Sequence, residues 1–159
     1  MDKTAIISYS GGLDSTALLL NLIKNDYKVH ALTYNYGQKH HYEIKCAQKI
    51  ILYLDNLNKH VDHSVIDISE LGSLLYSSLT TEGFNTPQGH YEDTSMNDTI
   101  VPNRNAIFAS ILYGHALSIA IKESVKVEIA LGVHSGDHAI YPDCRAEFYS
   151  ALEQAFEVG

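Results

Sequence analysis

Between residues 4 and 24 an apolar run, two consecutive glycines and a leucine-rich segment follow one another without a gap. Thr4–Tyr9 supplies Ala, Ile and Ile and ends in Ser10-Gly11-Gly12, the pattern of a buried strand entering a turn. Asp14–Lys24, with Leu18, Leu19, Leu20, Leu22 and Ile23, reads as a helix with a broad apolar face. The alternation then repeats. Val29–Tyr34 is a strand closed by Tyr36-Gly37, and Tyr42–Leu54 a helix with Ile44, Ala47, Ile50, Ile51 and Leu54 at helical spacing. His63–Ile68 is a strand, and Ser69–Tyr76 a short helix with Ser69 as its cap. Further on, Asn105–Ile121 is apolar on nearly all sides, as a helix buried between other elements would be. Val125–Leu131 is the next strand, and Ala146–Val158 the closing helix. Strands alternating with helices predict an α/β fold, doubly wound about a mostly parallel sheet. In such folds ligands bind beyond the carboxyl ends of the strands, where the strand order reverses.

Ser10-Gly11-Gly12-Leu13-Asp14-Ser15-Thr16 occupies such a position. Two glycines let the backbone approach a ligand without Cβ obstruction, and the first N–H groups of the following helix face the same point. The hydroxyls of Ser10, Ser15 and Thr16 add donors, so the loop suits phosphate. It is not a Walker A loop, because no lysine precedes the Ser/Thr pair. Asp14 instead places a carboxylate where phosphate would sit, and a Mg²⁺ ion between them removes the repulsion. The plainer alternative is a βα turn with a Ser or Asp cap.

Asn35-Tyr36-Gly37-Gln38-Lys39-His40 lies past the second strand on the same rim. Thr80–Thr99, with Gly83, Pro87, Gly89 and Asp93, has no periodicity and reads as a lid-like loop. Val101-Pro102-Asn103-Arg104-Asn105 opens the long helix. Arg104 opposes the helix dipole there, which fits a guanidinium aimed at phosphate or at a substrate carboxylate; a paired or solvated Arg is the bland alternative. Gly132-Val133-His134-Ser135-Gly136-Asp137 follows the last strand, and Tyr141-Pro142-Asp143-Cys144-Arg145 enters the last helix. Asp143 reads most simply as the N-cap of that helix. Either it or Asp137 also suits the adjacent N–H donors of a guanine-like ring.

These motifs, in this order, resemble the 7-cyano-7-deazaguanine synthase family of the PP-loop ATP pyrophosphatase superfamily, from Ile6 to Gly159. Ser-Gly-Gly-x-Asp-Ser is the superfamily's PP-loop, and Tyr141–Arg145 is the most family-specific segment. The resemblance implies an adenine-nucleotide-binding (HUP-like) fold. It also implies ATP with Mg²⁺ as cofactors, and 7-carboxy-7-deazaguanine with ammonia as substrates. ATP would activate first the acid and then the amide as adenylated intermediates, leaving a nitrile. Under this resemblance the ATP-binding residues are Tyr9, Ser10, Gly11, Gly12, Leu13, Asp14, Ser15, Thr16, Ala17, Leu18 and Leu19. Substrate binding falls to Tyr36, Gln38, Arg104, Asn105, Asp137, Tyr141, Asp143 and Arg145, and catalysis to Asp14 and Arg104. Two departures stand out. Lys39 occupies a usual Arg position, and Asn103 replaces a common Gly, Asn being the residue that best tolerates a glycine-like backbone.

The family pattern continues beyond Gly159 into a segment with a four-cysteine zinc site. Cys46 and Cys144 are the two thiols here, so the chain reads as a single nucleotide-binding domain, 1–159, shortened at its C-terminus and without those zinc ligands. His134 and His138 around Asp137 have ligand-like spacing only in a helix, which Gly136 disfavours, so no metal ligands are assigned. Cys144 suits packing or substrate lining better than nucleophilic attack.

A formal charge of −8 on 159 residues argues against nucleic-acid and anionic-membrane partners. That charge also disfavours the tRNA-modifying PP-loop enzymes, one of two alternative readings; the other is a non-catalytic ATP-binding module. With no apolar run expected to reach membrane-span length and no signal peptide, the expected location is cytoplasmic. A homodimer is left open.

Overall fold

The computed structural model describes residues 3–38, 42–75, 77, 101–133 and 141–159. These fall into two compact units. The first comprises the described residues of Met1–Asn35, His40–Asp67 and Phe108–Gly132; the second those of Tyr36–Lys39, Ile68–Ile107 and Val133–Gly159.

The first unit is built on four parallel strands, β1 (Lys3–Ser8), β2 (Tyr27–Asn35), β3 (Asp62–Asp67) and β4 (Val127–Ala130), in the order β3-β2-β1-β4. Helix α1 (Leu13–Lys24) joins β1 to β2, and α2 (Tyr42–Asn56) joins β2 to β3. The alternating side chains of each strand separate the two sheet faces. Ala5, Ile7 and Tyr9 with Val29 and Ala31 meet Leu19 and Leu22 of α1 and Ala47 and Leu54 of α2 in one buried cluster. On the other face lies α4 (Arg104–Glu123), whose Phe108 ring stacks on Tyr34 at 4.1 Å between centroids. The Tyr34 hydroxyl donates to the Phe108 carbonyl at 3.1 Å, and burial raises its pKa.

Two expectations about α4 need correction. Its buried residues, Ala109, Leu112, Ala116 and Ile119, form one stripe, whereas Leu117 and Ile121 are exposed. The sheet covers one side of the helix, so an all-round apolar sequence does not become an all-round buried helix. By length and composition α4 also does reach what a membrane span requires. Its inward stripe packs as a core helix does.

In the second unit, α3 (Ser69–Gly72) is shorter than expected, and Ile68, not Ser69, holds its cap position. Pro142–Cys144 forms a 3-10 turn, and α5 (Ala146–Val158) has the predicted bounds. Asn103 has φ +57°, the left-handed backbone anticipated for an Asn standing where Gly is common.

A cavity of about 250 Å³ lies between β2, β3 and α4, lined by His30, Asp62, Ser64, His115, Lys122 and Glu123 among others. His30 and Asp62 belong to the amino-terminal halves of their strands, at the opposite end from the Ser10–Thr16 loop. His30 is 6% exposed, and its Nε2 has no hydrogen-bond partner among the described residues. Burial lowers its pKa; Asp62, whose Oδ2 is 3.2 Å from Nδ1, opposes this in part. Glu123 also raises it, whereas Lys28 and His115 lower it further. Because folding favours the neutral ring, the unfolded chain takes up the proton first. The stability held by His30 is therefore complete above about pH 6.5 and is lost as pH falls through its lowered folded-state pKa. Thermal melts at pH 7.5 and pH 5 should show a smaller acid-induced loss in His30→Leu than in the parent. Equal losses in the two proteins would remove His30 from the account.

Candidate active site

The order β3-β2-β1-β4 reverses direction between β1 and β4, and the Ser10–Thr16 loop leaves β1 at that switch point. Gly11 makes the turn possible. Its φ is +78°, and a Cβ there would lie 2.7 Å from the backbone nitrogen of Ala47 in α2. From the other side, a Cβ at Gly132, just past β4, would come within 3.3 Å of the Ser15 backbone. The start of α1 is thus pressed between a neighbouring helix and the exit of the edge strand.

Among the described residues no side chain caps α1. Thr16 bonds back to the Gly12 carbonyl at 3.0 Å, so the N–H groups of Leu13, Asp14 and Ser15 precede the first helical bond and stand open at the positive helix end. The hydroxyls behave differently from expectation. Ser15, buried, donates to the Gly12 carbonyl at 3.2 Å and stands 3.1 Å from Ser10 Oγ. Its single proton being committed, Ser10 is the donor between the two, and Ser10 Oγ accepts the Gly12 N–H at 3.2 Å. These two hydroxyls brace the loop, and the backbone supplies the donors for an anion.

Tyr9 is 1% exposed, its hydroxyl 3.5 Å from Thr16 Oγ1; burial raises its pKa, and the Thr16 contact offsets this partly. Leu19 is wholly buried in the core and Leu18 packs against it, so the downstream end of the predicted binding segment anchors α1. By contrast Leu13 is 86% exposed, and Asp14 is exposed with no ion pair among the described residues. Uncapped N–H groups, a glycine cradle and an open carboxylate fit a polyphosphate carrying Mg²⁺. Among the described residues no three His, Cys, Asp or Glu side chains gather into a metal site.

The second unit holds the remaining candidates that are described. Gln38 is buried, and its Oε1 accepts the Tyr36 N–H at 2.9 Å, so at least that end of the side chain pins the turn. Two motifs far apart in sequence are joined here. The Asn105 N–H donates to Asp143 Oδ2 at 3.3 Å, while Asn105 Nδ2 donates to the Asp143 carbonyl at 3.4 Å and to Cys144 Sγ at 3.8 Å. Asp143 therefore caps the start of α4. The N-cap position of α5, expected for Asp143, belongs to Arg145, because the 3-10 turn intervenes. Tyr141 precedes that turn. Arg104 is half-buried and makes no ion pair among the described residues.

One neighbour escaped the sequence reading. Tyr149 of α5 has its pKa pushed up to about 12, chiefly by burial and then by Cys144 and Asp143, with Arg104 pulling the other way. It stays neutral at physiological pH beside those three groups. Nothing in an aromatic on a closing helix marked it in advance. Asp137, the lid-like segment 80–99, Lys39, His134 and His138 lie outside the described residues.

The family model for "Queuosine biosynthesis protein QueC" matches residues 4–159. The chain belongs to the QueC family. A protein of Methanoregula boonei named 7-cyano-7-deazaguanine synthase is 43% identical over 154 residues, covering 97% of this chain and 66% of that protein. The synthase of Hahella chejuensis is 41% identical, covering 95% of this chain and 61% of its own length. The chain thus spans about two-thirds of the length of the curated relatives it matches. A crystal structure from Methanocaldococcus jannaschii, described as a predicted subunit of tRNA methyltransferase, aligns with TM-score 0.56 at 18% identity, covering 98% of this chain and 64% of that one. That likeness concerns the α/β fold alone.

Proposed function

We propose that the chain carries the nucleotide-binding and substrate-reading part of an ATP-dependent ligase that makes 7-cyano-7-deazaguanine from 7-carboxy-7-deazaguanine and ammonia. The observation that carries this reading is the uncapped start of α1 at the sheet's switch point, with Asp14 open beside it. A carboxylate is a poor electrophile because its oxygen leaves badly; transfer of the adenylyl group of ATP to that oxygen makes it a good leaving group. Ammonia then displaces it, and a second activation, on the amide oxygen, leaves the nitrile.

The protein's part is positioning and charge neutralisation. The N–H groups of Leu13, Asp14 and Ser15 would receive ATP phosphate oxygens, and Asp14 would hold Mg²⁺ against them. Arg104 would steady phosphate or carboxylate charge, and Asp143, with Asp137, would accept the N–H donors of the deazaguanine ring. We place the reaction in the cytoplasm, with small molecules as its only substrates.

ATP–pyrophosphate exchange by the full-length gene product tests the reading. Exchange should depend on added 7-carboxy-7-deazaguanine and Mg²⁺. A folded protein that catalyses none would exclude it, and exchange supported by a different acid would redirect it to another PP-loop activity.

A further inference from the structure

We infer that Asn105 is a positioning residue for recognition of the acid substrate: it acts through Asp143 and does not itself contact the ring. The inference rests on the proposed function and reassigns a residue first grouped with the substrate contacts. All of Asn105's hydrogen-bond donors are engaged inside the protein. Its backbone N–H holds Asp143 Oδ2, and its side-chain NH₂ spans the Asp143 carbonyl and Cys144 Sγ. The backbone contact, which any residue but proline would supply at 105, sets one rotation of the Asp143 carboxylate. The two side-chain contacts hold the 3-10 turn Pro142–Cys144, and with it the Asp143 backbone, against the first turn of α4.

That rotation matters for the chemistry. A guanine-like edge presents two N–H groups side by side, and a carboxylate accepts both only when its plane is aligned with the ring. With Oδ2 held by a backbone donor, the carboxylate retains lone pairs for the ring while losing its freedom to turn. Pre-organisation of this kind is read in substrate affinity. The Asn105 amide cannot be replaced by a residue of equal size that lacks the donors. Asn105→Asp keeps the shape but sets a second carboxylate against the Asp143 carbonyl and side chain.

The test is steady-state exchange kinetics on the full-length protein. Asn105→Ala should raise KM for 7-carboxy-7-deazaguanine about tenfold, the equivalent of two lost neutral hydrogen bonds. KM for ATP and kcat should stay within about twofold. Asn105→Asp should be worse than Asn105→Ala, because the introduced carboxylate has no donor for the Asp143 carbonyl and sets like charge beside the Asp143 side chain. An Asn105→Ala variant with the parent's KM for the acid, or one weakened equally towards acid and ATP, would overturn the inference.

A second readout needs no substrate. Alkylation of Cys144, followed by mass spectrometry with Cys46 as the internal reference, should quicken several-fold in Asn105→Ala as the turn loosens. Unchanged labelling would count against the contact, independently of whether the protein acts on this acid. If the parent catalyses no exchange while Cys144 labelling still responds, the failure lies in the proposed function and not in the latch.

Discussion

Gly11→Ala is expected to lower the melting temperature by about 5–15 °C and to abolish protection by ATP. The added methyl meets two penalties at once. A left-handed backbone costs an L-residue about 1–2 kcal/mol, and Gly11 sits at φ +78°. In addition the Cβ would lie 2.7 Å from the Ala47 nitrogen and 2.8 Å from its Cα. Both are backbone atoms of a helix whose Ala47 is fully buried, so neither can swing aside as a side-chain end would. Overpacking of this kind costs about 1–3 kcal/mol. The combined effect is a large share of a typical folding free energy of about 5–15 kcal/mol. Melting followed by circular dichroism, with and without Mg-ATP, checks it. A variant melting within about 2 °C of the parent would mean that α2 yields at Ala47.

Asp14→Ala should do the opposite: leave the fold intact and remove activity. The side chain is exposed and makes no ion pair among the described residues, so its loss should change stability by no more than about 0.5 kcal/mol. Its proposed task is to hold the cation that neutralises phosphate charge, and electrostatic groups at developing charge are commonly worth about 100- to 1000-fold in rate. Exchange at saturating ATP should fall by that factor, and raised Mg²⁺ should restore little of it. Near-parental turnover would sink the assignment of Asp14. Asp14→Asn, which keeps the shape, separates charge from packing and should resemble the alanine variant.

The strands and helices were legible because they depend on periodicity, a local property. α5 has its predicted bounds, and β1, α1 and β2 shift by at most two residues at either end. Asn103 was legible for a different reason: a residue standing in for glycine announces a left-handed backbone, and φ +57° is found there. What the sequence concealed was long-range. Asp143 has the chemistry of a helix cap, but no local rule could say that it caps a helix 38 residues upstream rather than the one that follows it. Ser10 and Ser15 have the chemistry of phosphate donors, yet their separation lets them bond to each other and to Gly12. For α4, composition alone could not reveal that the sheet would cover one stripe and leave Leu117 and Ile121 outside.

The pairing of β1 with β4 sets a clock for the nascent chain. Thr4 finds its partner Val127 about 120 residues later, whereas β2 is available soon after β1 leaves the ribosome. At about 5–20 residues per second, β1 waits roughly 6–25 s with one hydrogen-bonding edge unpaired. Gly132, whose backbone closes against Ser15, arrives later still. The Ser10–Thr16 loop is therefore made well before the strand exit that closes against it. Until then an open apolar strand edge is offered to other chains. Slower elongation ahead of β4 should raise the aggregated fraction in expression experiments.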